Sequence, residues 1–259
     1  MNAPMTIKQY VSQMRKIPGG RFTMGRTMLD EVDVYVDEVP AHTVAIKNCY
    51  MGSTPVTVGM WREYVRSNQK LSMPKAPRWG WIDDHPMVNV SWNDIHGNNG
   101  KSGYCKWASY VTGVRLSLPT EAQMEYVTKC GKNQLFPWGS VFDDQNLWCS
   151  SDTQEVTMTA PVVRTYRIHT NGYAISDLMG NVSQWCSDWY GKYQGTPRDR
   201  LGYAVAVSDP KGPLKGELKC LRGAAFFNSY PDVFRSTNRI TDKATNISPY
   251  VGFRLVAPN

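Results

Sequence analysis

A chain of 259 residues has room for one large domain or two small ones. Its 41% hydrophobic and 20% charged residues fit a globular protein, and no apolar run approaches the roughly 18 residues of a membrane span. The net charge of +7 would suit acidic partners, but Lys and Arg are scattered with no interleaved aromatic block, so nucleic acid is not an expected partner.

Nine Trp and fourteen Tyr beside 21 Gly and 16 Pro predict short elements joined by many turns. Residues 1–20 read as a tail or a short helix, and 21–259 as a single domain. Arg21-Phe22-Thr23-Met24-Gly25 reads as a strand, and a second strand follows Pro40 up to Ile46. Between them, 26–37 is acidic and reads as a solvated loop. Thr54-Pro55 opens the first helix, with Val58, Trp61, Tyr64 and Val65 on one face. His85 through Trp92 reads as a strand running into a helix start, interrupted at 97–103 and resumed at Tyr104. Thr120 and Gln123 have capping-box spacing, which satisfies two orphan N–H groups at once, and this helix stops at Gly131. Phe136-Pro137-Trp138-Gly139 is a turn, and 140–170 reads as loop with brief strands. A turn opening at Ser176 leads into a strand through Tyr190, and 191–219 is a Gly- and Pro-rich excursion.

Cys49, Cys105, Cys130, Cys149, Cys186 and Cys220 contain no CxxC pair and no zinc spacing, and are expected as buried free thiols. The stretch 221–256 differs from the rest of the chain. Leu221-Arg222-Gly223 and Val251 through Val256 read as buried strand. Between them, Phe226, Phe227, Tyr230, Ile240, Ile247 and Tyr250 mix with Asn, Ser, Thr and Asp at no regular period. Two readings are open: an irregular core segment, or a contact surface in which aromatics supply area and small polar residues supply adaptable hydrogen bonds.

Taken together, Phe22-Thr23-Met24-Gly25, Glu38-Val39-Pro40-Ala41-His42, Thr54-Pro55-Val56-Thr57, Val88-Asn89-Val90-Ser91-Trp92 and Leu118-Pro119-Thr120-Glu121-Ala122 occur in one order with Pro137-Trp138-Gly139, Met179-Gly180-Asn181-Val182, Arg222-Gly223 and Gly252-Phe253-Arg254. The sequence resembles the formylglycine-generating-enzyme, or sulfatase-modifying-factor, family over roughly 20–256. The resemblance implies an α+β, C-type-lectin-like fold with short antiparallel sheets, two main helices and much irregular structure. Oxidases of the family hold copper on a cysteine pair after the Arg-Gly-Gly segment. Those positions fall near Asn228 and Val233, and no cysteine follows Cys220. Neither residue is a thiolate nucleophile or a soft-metal ligand. His42, His85, His96 and His169 are widely separated and read as structural or surface residues. In Gly180-Asn181-Val182-Ser183-Gln184-Trp185, Gln184 stands where the family has a carboxylate, so no metal is expected there.

The branch that fits best is the variable protein of diversity-generating retroelements. There, template adenines in AAC or AAT codons are mutagenised, and the resulting codons cannot encode Lys, Glu, Gln, Met or Trp. From 224 to 251 only Lys243 belongs to that set, and Ala224-Ala225 departs from the usual Gly-Ser. The resemblance implies a non-enzymatic display protein, at the cell surface or outside it, whose variable segment 224–250 binds an unspecified protein or surface ligand without a cofactor. Phe226, Phe227, Tyr230, Ile240 and Tyr250 are the expected apolar anchors, and Asn228, Ser229, Asp232, Thr241, Asp242, Asn246 and Ser248 the expected polar contacts. Arg222, Gly223, Arg235, Arg239, Gly252 and Phe253 are the expected framework, with Arg235 hydrogen-bonded to loop carbonyls. The alternatives are an oxidase acting on a peptide cysteine and a carbohydrate-binding lectin.

Overall fold

The computed structural model describes residues 4–26, 35–98, 100–151, 155–162, 172–202 and 204–259. Helix α1 (Ile7–Ser12) opens on a capping box between Thr6 and Gln9 and buries Ile7 and Tyr10. Four strands follow: β1 (Arg15–Ile17), β2 (Gly20–Met24), β3 (His42–Ile46) and β4 (Cys49–Met51). Helix α2 (Val58–Arg66) is capped by Thr57, whose hydroxyl accepts the Met60 N–H. The sequence points to a start at Thr54-Pro55. The chain instead stays extended there, because Val56 N donates to the Phe253 carbonyl and Met87 N to the Val56 carbonyl.

Helix α3 (Trp92–His96) starts on a Ser91–Asp94 capping box. The strand expected before it is reduced to a single bridge between Thr57 and Pro86. The Asn- and Gly-rich interruption is a hairpin of β5 (Gly97–Asn98) and β6 (Lys101–Ser102), after which α4 (Tyr104–Thr112) begins. Helix α5 (Glu121–Thr128) has the capping box read from Thr120 and Gln123, with both bonds at about 3 Å. Five helices are thus present among the described residues, three of them eight or nine residues long, where two main ones are expected. His169 lies outside the described residues.

The second half adds β7 (Ser183–Trp189), β8 (Val207–Ser208), β9 (Lys219–Arg222), β10 (Ile240–Asp242), β11 (Val251–Gly252) and β12 (Val256–Pro258). Three small sheets result besides the hairpin: β1-β4-β12, β2-β3-β8 and β10-β9-β7-β11. They are not wholly antiparallel, since β8 runs parallel to β3 and β11 parallel to β7. Strand β7 is covered on both faces, so its burial does not alternate as its sequence would suggest.

One apolar cluster joins α1, α2 and α4 to Trp185, Leu221, Val251, Phe253 and Leu255, and a second packs α5 against β2 and β3. The two ends of the 224–250 stretch are therefore fixed in core. Gly223 turns the chain out of β9 at φ +73°, and a Cβ there would strike the Leu178 carbonyl oxygen. None of the six cysteines is in a disulfide, and five are buried. No helix among the described residues is long and apolar enough to cross a membrane.

Candidate functional site

Strand β9 ends, and β7, β10 and β11 begin, at one end of the four-stranded sheet. A cleft of about 610 Å³ opens at that end, in the range of small-ligand and side-chain pockets. Of the residues singled out from sequence, Phe227, Asn228, Ile240, Thr241, Asp242, Ser248 and Tyr250 line it. Phe227 and Tyr250 are 49% and 40% exposed, with ring centroids 4.4 Å apart. Tyr230 is 77% exposed but lies outside the lining, as do half-buried Ser229 and exposed Asn246, which donates to Asp242.

Two expected contacts are diverted to internal work. Phe226 is only 1% exposed and packs edge-on against Trp79 and Tyr250, so it is a pedestal for the cleft wall and not a surface anchor. Asp232 pairs with Arg235 at 2.9 Å. Asn228 lines the cleft but also fixes its own turn, since its side-chain oxygen accepts the Ala225 N–H.

What holds the irregular backbone is a set of buried charges. Arg222 donates to Glu121 at 3.0 Å and Glu125 at 2.8 Å, and to the carbonyls of Ser236 and Asn238. Arg239 meets both oxygens of Glu121, at 2.7 and 2.8 Å, and donates to the Asp37 carbonyl. Its guanidinium lies over the rings of Tyr190 and Tyr193, 4.5 and 4.1 Å from their centroids. Arg235 bonds Glu38, which also accepts from the Thr237 hydroxyl. Arg235 thus engages the carboxylates of Glu38 and Asp232, and Arg222 donates to the loop carbonyls of Ser236 and Asn238. Burial by itself would raise the Glu121 pKa, but Arg222 and Arg239 more than reverse this and hold it at about 2.

Sequence reasoning missed the opposite wall. Tyr35, Val36 and Asp37 line the cleft, although 26–37 reads as a solvated loop. Nothing in their order marks them, because Glu38 and Arg239 bring them there across about 200 residues of chain. Ser183, Leu221, Val233, Asn238, Arg239 and Val251 complete the lining.

The positions implied for the oxidase thiols, Asn228 and Val233, both face this cleft. An amide and an isopropyl group do not fit a thiolate-bound copper. Cys220, the nearest thiol in sequence, is buried against Glu121, and burial followed by that carboxylate pushes its pKa far above the usual thiol range. Gln184 is also committed, its side-chain oxygen accepting Arg254 Nε at 2.6 Å and its amide donating to the Asp177 carbonyl at 2.6 Å. Among the described residues, no three His, Cys, Asp or Glu side chains are grouped to hold a metal.

A second cavity of about 510 Å³ lies under the 191–213 excursion and shares Arg239 with the first. Asp188 borders it and accepts from the Ser187 hydroxyl and the Glu121 N–H, yet burial pushes its pKa up to about 7. A carboxyl raised in the folded state binds its proton more tightly there than in the unfolded chain. Its contribution therefore favours folding at low pH and fades as pH rises from about 4 through 7. Asp188→Asn keeps an oxygen acceptor and removes the ionisation. Its Tm relative to wild type should rise between pH 5 and pH 8; a constant difference would show that Asp188 does not titrate in that window.

Compared with known proteins, a model of the sulfatase-modifying factor enzyme 1-like domain matches residues 2–258. A formylglycine-generating enzyme of Bos taurus is 28% identical over 305 aligned residues, covering 95% of this chain and 75% of its own. The solved structure of PvdO from Pseudomonas aeruginosa superposes with a TM-score of 0.76 at 27% identity, over 95% of this chain and 94% of its own. Treponema denticola variable protein 1 superposes with a TM-score of 0.67 at 20% identity, over 95% of both chains, a likeness of fold.

Proposed function

The chain belongs to the sulfatase-modifying factor enzyme 1-like family, and from that membership we propose that it is a non-enzymatic, hypervariable ligand-binding protein that displays the cleft at the end of its four-stranded sheet. One observation carries this function. The positions expected to hold oxidase thiols, Asn228 and Val233, line a cleft otherwise built largely from 227–250. The buried pairs Glu121–Arg239 and Glu38–Arg235 lie beneath that segment, so Phe227, Ile240, Thr241, Ser248 and Tyr250 are free to change while the backbone stays. A preordered loop loses little entropy on binding, which favours affinity from a modest set of contacts. The ligand is a protein or other surface-borne molecule, met at or outside the cell surface.

The test is on the gene. Its 3′ end is sequenced across many cells, and the flanking DNA is searched for a near-copy of codons 221–256. Differences confined to codons such as 227, 240, 241 and 248, matching adenines in the copy, are the expected result. Invariant codons with no copy would overturn hypervariability.

A second function, oxidation of a peptide cysteine, is favoured by the 28% identity to a formylglycine-generating enzyme across most of the chain. It predicts copper-dependent turnover of a cysteine peptide that Cys220→Ser abolishes. With Cys220 buried away from the cleft, no turnover is the expected result.

A further inference from the structure

We propose that the cleft recognises a single basic side chain, a guanidinium or an ammonium, presented by a partner polypeptide; this rests on the ligand-binding function proposed above. The ionisable groups lining the cleft, apart from tyrosine, are Arg239, Asp37 and Asp242. Arg239 is committed, with a bidentate bond to Glu121, a bond to the Asp37 carbonyl and an aromatic ring on each of two sides. The two aspartates are not neutralised in this way. Asp37 accepts from the Tyr190 hydroxyl at 3.1 Å. Asp242 accepts from the Lys243 N–H at 2.8 Å and the Asn246 amide at 2.7 Å. Among the described residues no ion pair reaches either carboxylate. With Arg239 held by Glu121, these two aspartates are the acidic groups that the lining offers a guest.

Its walls suit the same guest. Tyr35, Phe227 and Tyr250 present aromatic surface, and ring faces attract cations by their quadrupole. The molecule already uses that contact nearby, with the Arg235 guanidinium 5.1 Å from the centroid of the Tyr35 ring. Ile240, Val36 and Val251 offer apolar cover for the methylene stem of a lysine or arginine, which buries its stem and keeps its charge at polar groups. The remainder of the chain is basic, with a net charge of +7 overall. A polybasic tract would be repelled by that surface, whereas one cation in a cleft lined by two aspartates is held locally. Charge complementarity therefore favours one basic residue flanked by neutral ones.

The test uses the full chain and three defined probes: acetyl-Gly-Arg-Gly-amide and its norleucine and glutamate counterparts. Each is titrated while amide chemical shifts of the cleft are followed. The arginine peptide should saturate shifts at Phe227, Ile240 and Tyr250 and bind at least tenfold more tightly than the norleucine peptide, a difference of about 1.4 kcal/mol. Asp37→Asn with Asp242→Asn should remove that preference, and added salt should weaken it. Each asparagine keeps an acceptor for the existing donors, and thermal melts check the fold. If the double variant unfolds, Asp242→Asn alone carries the test. Equal binding of the norleucine or glutamate peptide at the cleft would overturn the charge preference and leave ligand binding intact. If no peptide moves these resonances, the basic-guest proposal fails, and gene sequencing judges hypervariability on its own.

Discussion

Replacing Glu121 by Gln should destabilise the protein by about 3–5 kcal/mol, because it strips the charge partner from one buried arginine and half of the partners from another. Arg239 has Glu121 as its carboxylate partner, while Arg222 keeps Glu125. In a chain of this size such a loss lowers Tm by the order of 10 °C. The double change Glu121→Met with Arg239→Met removes both charges and should recover part of the lost stability, since a buried pair is costlier to break than to replace. It should not recover the order of residues 235–242, which Arg239 and Arg222 hold. The acid limb follows from the same group. The folded pKa of about 2 lies below the ordinary carboxylate value, so the stabilisation is complete above that ordinary value and is lost as pH falls from about 4.5 through 2. Urea titrations at pH 7 and pH 3 give both readings. A Gln variant within 1 kcal/mol of wild type at pH 7 would mean that the buried pair does not pin the segment.

Arg254→Met should be at least as damaging. Arg254 is fully buried, and its guanidinium donates to the Gln184 side chain and to the carbonyls of Gly52, Ser176 and Asp177. It thereby joins the end of β4, the 176–181 turn and β7. Burial pulls its pKa down to about 10, with Tyr10 and Asp177 opposing, so it remains charged at neutral pH. Methionine fills the volume and leaves three acceptors without their donor, the Gln184 side-chain oxygen and the Gly52 and Ser176 carbonyls, while the Asp177 carbonyl keeps the Gln184 amide. At roughly 1–3 kcal/mol for each unsatisfied group, the expected loss is about 3 kcal/mol or more. Arg254→Lys keeps the charge but cannot span a planar fork of acceptors, and should recover only part of the loss. A urea midpoint for the Met variant close to wild type would show that solvent or rearranged donors satisfy those oxygens.

Both groups show how far the site can be read from the chain. Arg235 and Arg239 stand out in sequence as fixed charges, because they interrupt a stretch of aromatics and small polar residues. Their partners do not. Glu121 reads only as the first residue of a capped helix, and Glu38 as part of a strand entry. Separations of 118 residues between Arg239 and Glu121, and 197 between Arg235 and Glu38, leave no local pattern to find. The same holds for Phe226 and Phe227. Adjacent and chemically identical, one is buried under the cleft and the other forms its wall, because the turn fixed by Asn228 sends their side chains to different sides.

The sequence by itself determined the family, the capping box that starts α5, the strand markers at both ends of 221–256, and the location of the segment that forms most of the cleft. These are local signals: a cap needs only four residues, and a motif order needs only the chain. Tertiary structure alone decided which of those residues reach the cleft, which carboxylates hold the arginines, and that Tyr35, Val36 and Asp37 form the facing wall. Such contacts depend on side chains brought together across the fold, where burial and charge pairing select partners that sequence distance conceals.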